Sequence, residues 1–179
     1  MARSSSGRRT ALVERSRSSV PNPVLRHAPG PHGRNVNPVN PASHITITVA
    51  SAFVFTAKLL TDRAPHTCAA FTTLLPYRQR LIHARWSGEA CWIPLGDYQL
   101  GVGYENHTSH PSRGDLLWYP GGVSETELLF AYGSSLFASK MGQLAGNHFL
   151  EIVEGRERLE EMGRHVLYHG AQDIVFEAA

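Results

Sequence analysis

Two short segments of alternating sequence hold the side chains best placed to meet a ligand. Across Arg80 to Trp86, a strand that turns Ile82, Ala84 and Trp86 inward sends His83 and Arg85 outward. Across Glu125 to Tyr132, Thr126, Leu128, Phe130 and Tyr132 form the apolar set, so Glu125, Glu127, Leu129 and Ala131 take the opposite face. A guanidinium can clamp a carboxylate through two parallel N–H donors. The expected partner is therefore a small carboxylate-bearing molecule, or a peptide. The plainer alternative is that Arg85 and Glu127 pair with each other on the surface, a contact worth ~0–1 kcal/mol.

Metal chemistry competes for the same residues. His83, Glu89, Glu127 and His148 are ligand types suited to zinc or a related ion, and Glu105-Asn-His107-Thr-Ser-His110 adds a second histidine pair. None of these spacings is diagnostic, because an HxxH in a Pro- and Ser-containing loop is an ordinary solvated surface, so no metal is expected. Ser87 and Ser124 sit near glycines but outside any GxSxG elbow. Gly121-Gly122 follows a proline and precedes no helix start, so no phosphate loop is expected either. Cys68 and Cys91 form neither a CxxC pair nor a disulfide framework and read as buried free thiols in a reducing cytoplasm.

The elements that must position these groups are mostly strands. His44 to Val49 and Phe53 to Leu59 alternate with period two and are joined by small residues, as in a hairpin. Asp62-Arg-Ala-Pro65 opens a helix with Cys68, Phe71 and Leu74 or Leu75 buried and Pro76 as its stop. Strands are expected over 80–86 and 89–93, around the Ser87-Gly88 turn, and over 115–119, 125–132, 148–153 and 174–177. A second helix is expected from about Gly155 to Met162, stopped by Gly163. About eight short strands with two isolated helices and no βαβ alternation indicate a mainly β closed barrel or sandwich.

In order of elements and in several local strings, the chain resembles a cyclophilin-type barrel. The resemblance rests on Ala57-Lys-Leu-Leu-Thr-Asp-Arg-Ala-Pro-His-Thr-Cys-Ala-Ala-Phe71, and on Gly142-Gln-Leu-Ala-Gly-Asn-His-Phe149 followed by Ile152-Val-Glu-Gly155. It spans about residues 44 to 177. More closely, the chain is similar to a bacterial family of small uncharacterised cyclophilin-like proteins, of which His83-Ala-Arg-Trp-Ser-Gly-Glu89 and Glu105-Asn-His107 look typical. The resemblance implies a closed barrel of about eight strands with two short helices and a ligand surface on its outer wall. Position by position, it places His148 and Arg85 at the histidine and arginine of the prolyl isomerase site. Glu127 stands where that site has glutamine, Leu129 where it has phenylalanine, and Gln143 where it has tryptophan. With the aromatic floor lost, the expectation is a binding site made of His83, Arg85, Glu127, Leu129, Gln143 and His148. Weak isomerisation and metal-dependent chemistry are the alternatives.

Composition divides the chain in two. Residues 1–42 carry seven arginines against one acid, Glu14, and no Phe, Trp, Tyr or Cys, whereas residues 43–179 carry ten basic against fourteen acidic residues and every aromatic ring. The overall charge of +2 is thus an average of two unlike pieces, and the folding part is acidic, against nucleic-acid binding by that part. The first piece lacks the apolar surface to offset ~1–2 kcal/mol of backbone entropy per residue and is expected to be a disordered basic tail. A transit peptide or nucleic-acid-binding arm would have similar composition. Only Ala11, Leu12 and Val13 follow its arginine pair, too short a run for a signal peptide, and no membrane span is expected anywhere.

Overall fold

The computed structural model describes residues 43–179, so the expected tail at 1–42 lies outside the described residues. Eight strands close into an antiparallel barrel. In chain order the elements are β1 (His44–Val49), β2 (Phe53–Leu59), α1 (Pro65–Thr72), β3 (Tyr77–His83), β4 (Gly88–Gly96), β5 (His107–Thr108), β6 (Asp115–Tyr119) and β7 (Thr126–Ser135). There follow β8 (Ala138–Ser139), β9 (Gly142–Gln143), β10 (Gly146–Glu154), a 3-10 turn at Arg156–Arg158, α2 (Leu159–His169) and β11 (Gln172–Ala178). The wall runs β2-β1-β11-β3-β4-β7-β6-β10 and is closed by β10 pairing with β2; β5 adds to β10, and β8-β9 is a separate hairpin.

Period two decides which side chains fill the interior. Ile45, Ile47 and Val49 of β1 and Phe53, Phe55, Ala57 and Leu59 of β2 point inward, as their alternation predicts. Both helices sink side chains into the same core: Cys68 and Phe71 from α1, and Leu159, Met162 and Val166 from α2. The ring of Phe71 meets the rings of Tyr77, Trp118, Phe149 and Phe176 at 4.9–6.3 Å. Each fully buried ring contributes ~1.5–3 kcal/mol.

A second, smaller apolar cluster lies on the outside of the wall. Ala90, Leu117, Tyr119 and Leu129 turn away from the interior and are covered by Phe137 and Leu144, with Trp92 packed against them. The sequence between β7 and β10, including the β8-β9 hairpin, thus folds over the outer face of β4, β7 and β6. This explains why β6 is buried at all five positions: one face fills the barrel and the other lies under the cover.

Three expectations are corrected. The strand expected over 80–86 is β3, which begins at Tyr77 and has the opposite phase: Leu81 is the core residue, Ile82 faces outward, and Arg85 and Trp86 lie in a bend beyond the strand. Leu81 and Ile82 are adjacent and both apolar, so their pattern leaves the phase open, and the Tyr77 pairing with Phe176 of β11 sets it. Trp86, expected inside, is 61% exposed. The third correction is Gly163, expected as a helix stop. It lies inside α2, where a Cβ would come within 2.4–2.5 Å of the Tyr132 ring, and the helix ends at Gly170 with φ 79°.

Candidate functional site

A hollow of about 310 Å³ opens on the outer wall, where β3, β4 and β7 run side by side. Its floor is a cross-strand row: Ile82 is the register partner of Trp92, and Trp92 that of Leu129. Two residues before Leu129, on the same face of β7, Glu127 joins the lining at only 5% exposure. Among the described residues its carboxyl group has neither an ion-pair partner nor a hydrogen bond. Burial first, and then the neighbouring Glu125 carboxylate, raise its pKa to about 8. Near neutral pH it is a carboxylic acid, able to donate a hydrogen bond as well as accept one.

The banks of the hollow come from three loops. The bend after β3 supplies Arg85 and Trp86, the end of β8 and the turn after it supply Ser139 and Lys140, and the segment before β7 supplies Ser124 and Glu125. Among the described residues neither Arg85 nor Lys140 forms an ion pair, so the surface pairing of Arg85 with Glu127 is not present. Ser87 ties two banks together: its hydroxyl donates to the Ala138 carbonyl at 3.0 Å and accepts from the Ala138 N–H at 3.1 Å.

Four of the expected site residues thus meet here: His83, Arg85, Glu127 and Leu129. His83 lines the hollow with both ring nitrogens engaged. Nδ1 lies 2.8 Å from the Ala84 carbonyl, which can only accept, so Nδ1 carries a hydrogen, and Nε2 is hydrogen-bonded to the Tyr132 hydroxyl at 2.7 Å. With Leu81 setting the phase of β3, the ring itself turns to the inner face beside Tyr132, the reverse of the outward orientation expected for His83. Gln143 is exposed on β9, opposite Ala138 of β8, and does not line the hollow. His148 belongs to a separate hollow of about 300 Å³ with Arg63, His107 and Asp115. A register shift between His148 and Leu150 turns both Phe149 and Leu150 inward and keeps His148 on the outer face, level with Leu117 and through it Leu129, but the outer cluster of Leu117, Phe137 and Leu144 occupies that face and His148 lines the other hollow.

The residues weighed for the metal alternative do not gather as one set: among the described residues no three His, Cys, Asp or Glu side chains are grouped to hold an ion. Glu89 instead accepts the Ser134 N–H at 2.7 Å. Glu105 accepts the N–H groups of His66 and Thr67 in the first turn of α1. Burial acts to raise the pKa of Glu105, but the hydrogen bonds from Thr67 and His66 outweigh it and hold the carboxyl below its usual range. Its own N–H donates to Asn147 Oδ1, whose amide nitrogen donates to Thr67 Oγ1 and the Gly103 carbonyl. Cys68 and Cys91 are buried free thiols, each pushed up to about 12 chiefly by desolvation. Sequence reasoning missed Ile82, Trp92 and Lys140 as lining residues. Only the β3 phase could have placed the first two, and nothing local marks Lys140.

Residues 45–178 match the model of a family described as protein of unknown function (DUF3830). No curated protein matches the chain. Among solved structures, one similar chain is McbB, determined in complex with tryptophan, at 20% identity and a TM-score of 0.56; the match covers 74% of this chain and 44% of McbB. Another is the hypothetical protein AF2241 from Archaeoglobus fulgidus, at 18% identity and a TM-score of 0.53, covering 80% of this chain and 100% of that one. At these identities the likeness is one of fold.

Proposed function

The chain belongs to the DUF3830 family of proteins of unknown function, and on that premise we propose that its outer-wall hollow binds a small molecule with an apolar, ring-sized body and a carboxylate. The observation that carries this reading is the pairing of an unpartnered acid on the floor with two unpaired cations on the banks. Arg85 and Lys140 reach the ligand carboxylate, protonated Glu127 donates to it or to a neighbouring polar group, and Ile82, Trp92 and Leu129 take the apolar body. The tryptophan complex of McbB supports an aromatic amino acid as the first probe. Ala57 to Phe71 and Gly142 to Gly155 support placing the barrel among cyclophilin-like proteins of bacterial type, and two free thiols support a cytoplasmic setting.

Titration of the labelled protein with L-tryptophan, followed by NMR at the Trp92 indole N–H and the Leu129 methyls, tests the proposal. Saturable shifts are expected with tryptophan and not with tryptamine, which lacks the carboxylate. Arg85→Gln together with Lys140→Gln weakens binding about tenfold or more. If indole-3-acetate, benzoate and tryptophan all fail to shift these signals, the reading is wrong. No observation favours the isomerase alternative, because Gln143 and His148 stand outside the hollow; a proline-peptide isomerisation assay is expected to show no rate above background.

A further inference from the structure

The hollow around His148 differs in chemistry from the one above. Its lining is polar throughout, with Arg63 from the segment before α1, His107 and His110 from the loop around β5, Asp115 from β6 and His148 from β10. The His148 and Asp115 side chains are only 12% and 9% exposed. Nε2 of His148 is shut off from solvent and lies 3.3 Å from Asp115 Oδ1, making no hydrogen bond there but forming an ion pair with it whenever the ring is protonated. A buried polar nitrogen without a hydrogen bond costs ~1–3 kcal/mol unless something else satisfies it. The loop is built to hold this ring in place: Asn106, at φ 44°, accepts the His148 N–H at its carbonyl and donates from its side-chain amide to the His148 carbonyl at 2.7 Å. Asp115 is held too, its Oδ2 accepting the Ser112 N–H at 2.8 Å.

We propose that this hollow is a second site, separate from the outer-wall one, for a tetrahedral oxyanion: phosphate or the phosphoryl group of a phosphomonoester. A cation is disfavoured because Arg63 lines the hollow and, among the described residues, has no ion pair to neutralise it. An organic carboxylate is disfavoured because the lining side chains are polar and offer little surface to grip an apolar body. A phosphoryl group instead presents oxygens in several directions, and donor-bearing side chains line the hollow from several elements: the guanidinium of Arg63, the imidazoles of His107 and His110, and the Thr108 hydroxyl. Asp115 is the one opposing charge. Its oxygens face Ser112 and His148, so its effect is to orient the imidazole.

NMR titration of the full chain with inorganic phosphate and, separately, with phenyl phosphate tests this, with acetate at matched ionic strength as the control. Saturable shifts are expected at Arg63, at Asn106 to His110 and at His148, while the Trp92 indole signal stays in place. Arg63→Gln, an exposed substitution, weakens binding about tenfold. Stronger binding of phenyl phosphate than of inorganic phosphate identifies an organic phosphomonoester as the ligand class, and equal binding identifies free phosphate. Shifts that do not saturate, that acetate reproduces, or that persist unchanged in Arg63→Gln overturn the site. Because Trp92 reports on the other hollow, failure here leaves the carboxylate proposal untouched.

Discussion

A carboxyl group that keeps its proton near neutrality makes the folded state prefer acid. In the unfolded chain Glu127 ionises at an ordinary pKa near 4.3; in the barrel its pKa is about 8. Between those values the folded state binds more protons than the unfolded one, so stability falls as pH rises through that window and levels off above it. Glu127→Gln removes the titration while keeping the shape. The variant is expected to be more stable than the wild type by ~2–4 kcal/mol at about pH 9, with the gap closing toward pH 4. Denaturant melts at several pH values check this, and a constant difference across the range would show that Glu127 ionises normally. Glu127 and Leu129 could be read from the alternation of β7 alone. Lys140 could not, because it reaches the hollow only through a hairpin whose position depends on packing against the outer wall.

How far an element can be read from its residues depends on how many of its faces are buried. Strands β1 and β2 have one face in the core and one toward solvent, so their period-two pattern gave both their limits and their phase. Strand β6 is buried on both faces, so its sequence, Asp-Leu-Leu-Trp-Tyr, marks a strand without telling inside from outside. In β3 the adjacent pair Leu81 and Ile82 hid the phase, and with it the lining role of Ile82. The bulge in β10 is where reasoning by alternation fails outright, since it turns the adjacent Phe149 and Leu150 both inward; His148 stays on the outer face, and the side chains packed over that face, not the strand's phase, assign it to another hollow. Helix α2 shows the same limit for glycine: Gly163 reads as a terminator but is required by contact with Tyr132. Alanine in an exposed helix interior stabilises by roughly 1 kcal/mol relative to glycine. Gly163→Ala is instead expected to destabilise by ~2 kcal/mol or more, as overpacking does, and a rise in melting temperature would refute the contact.

At the scale of the molecule, the barrel core and its outer cluster begin, among the described residues, at Ile45. A chain starting at residue 43 is therefore expected to fold cooperatively, with a melting temperature within a few degrees of the full-length protein. It would differ sharply in charge, carrying a net −4 where the full chain carries +2. Differential scanning calorimetry of the two proteins compares them directly, and a barrel that fails to fold without residues 1–42 would mean that the tail contributes to the core.

The cover over the outer face has a mechanical consequence. Phe137 is fully buried, and Ser87 clasps Ala138 from the opposite bank, so the turn bearing Lys140 is tethered at its base to the same wall that forms the floor. If the proposed ligand binds there, it meets a cleft whose rim is already fastened to the wall instead of a flap that must close behind it. Arrival should then be limited by diffusion, and discrimination among ligands should appear in how long each one stays.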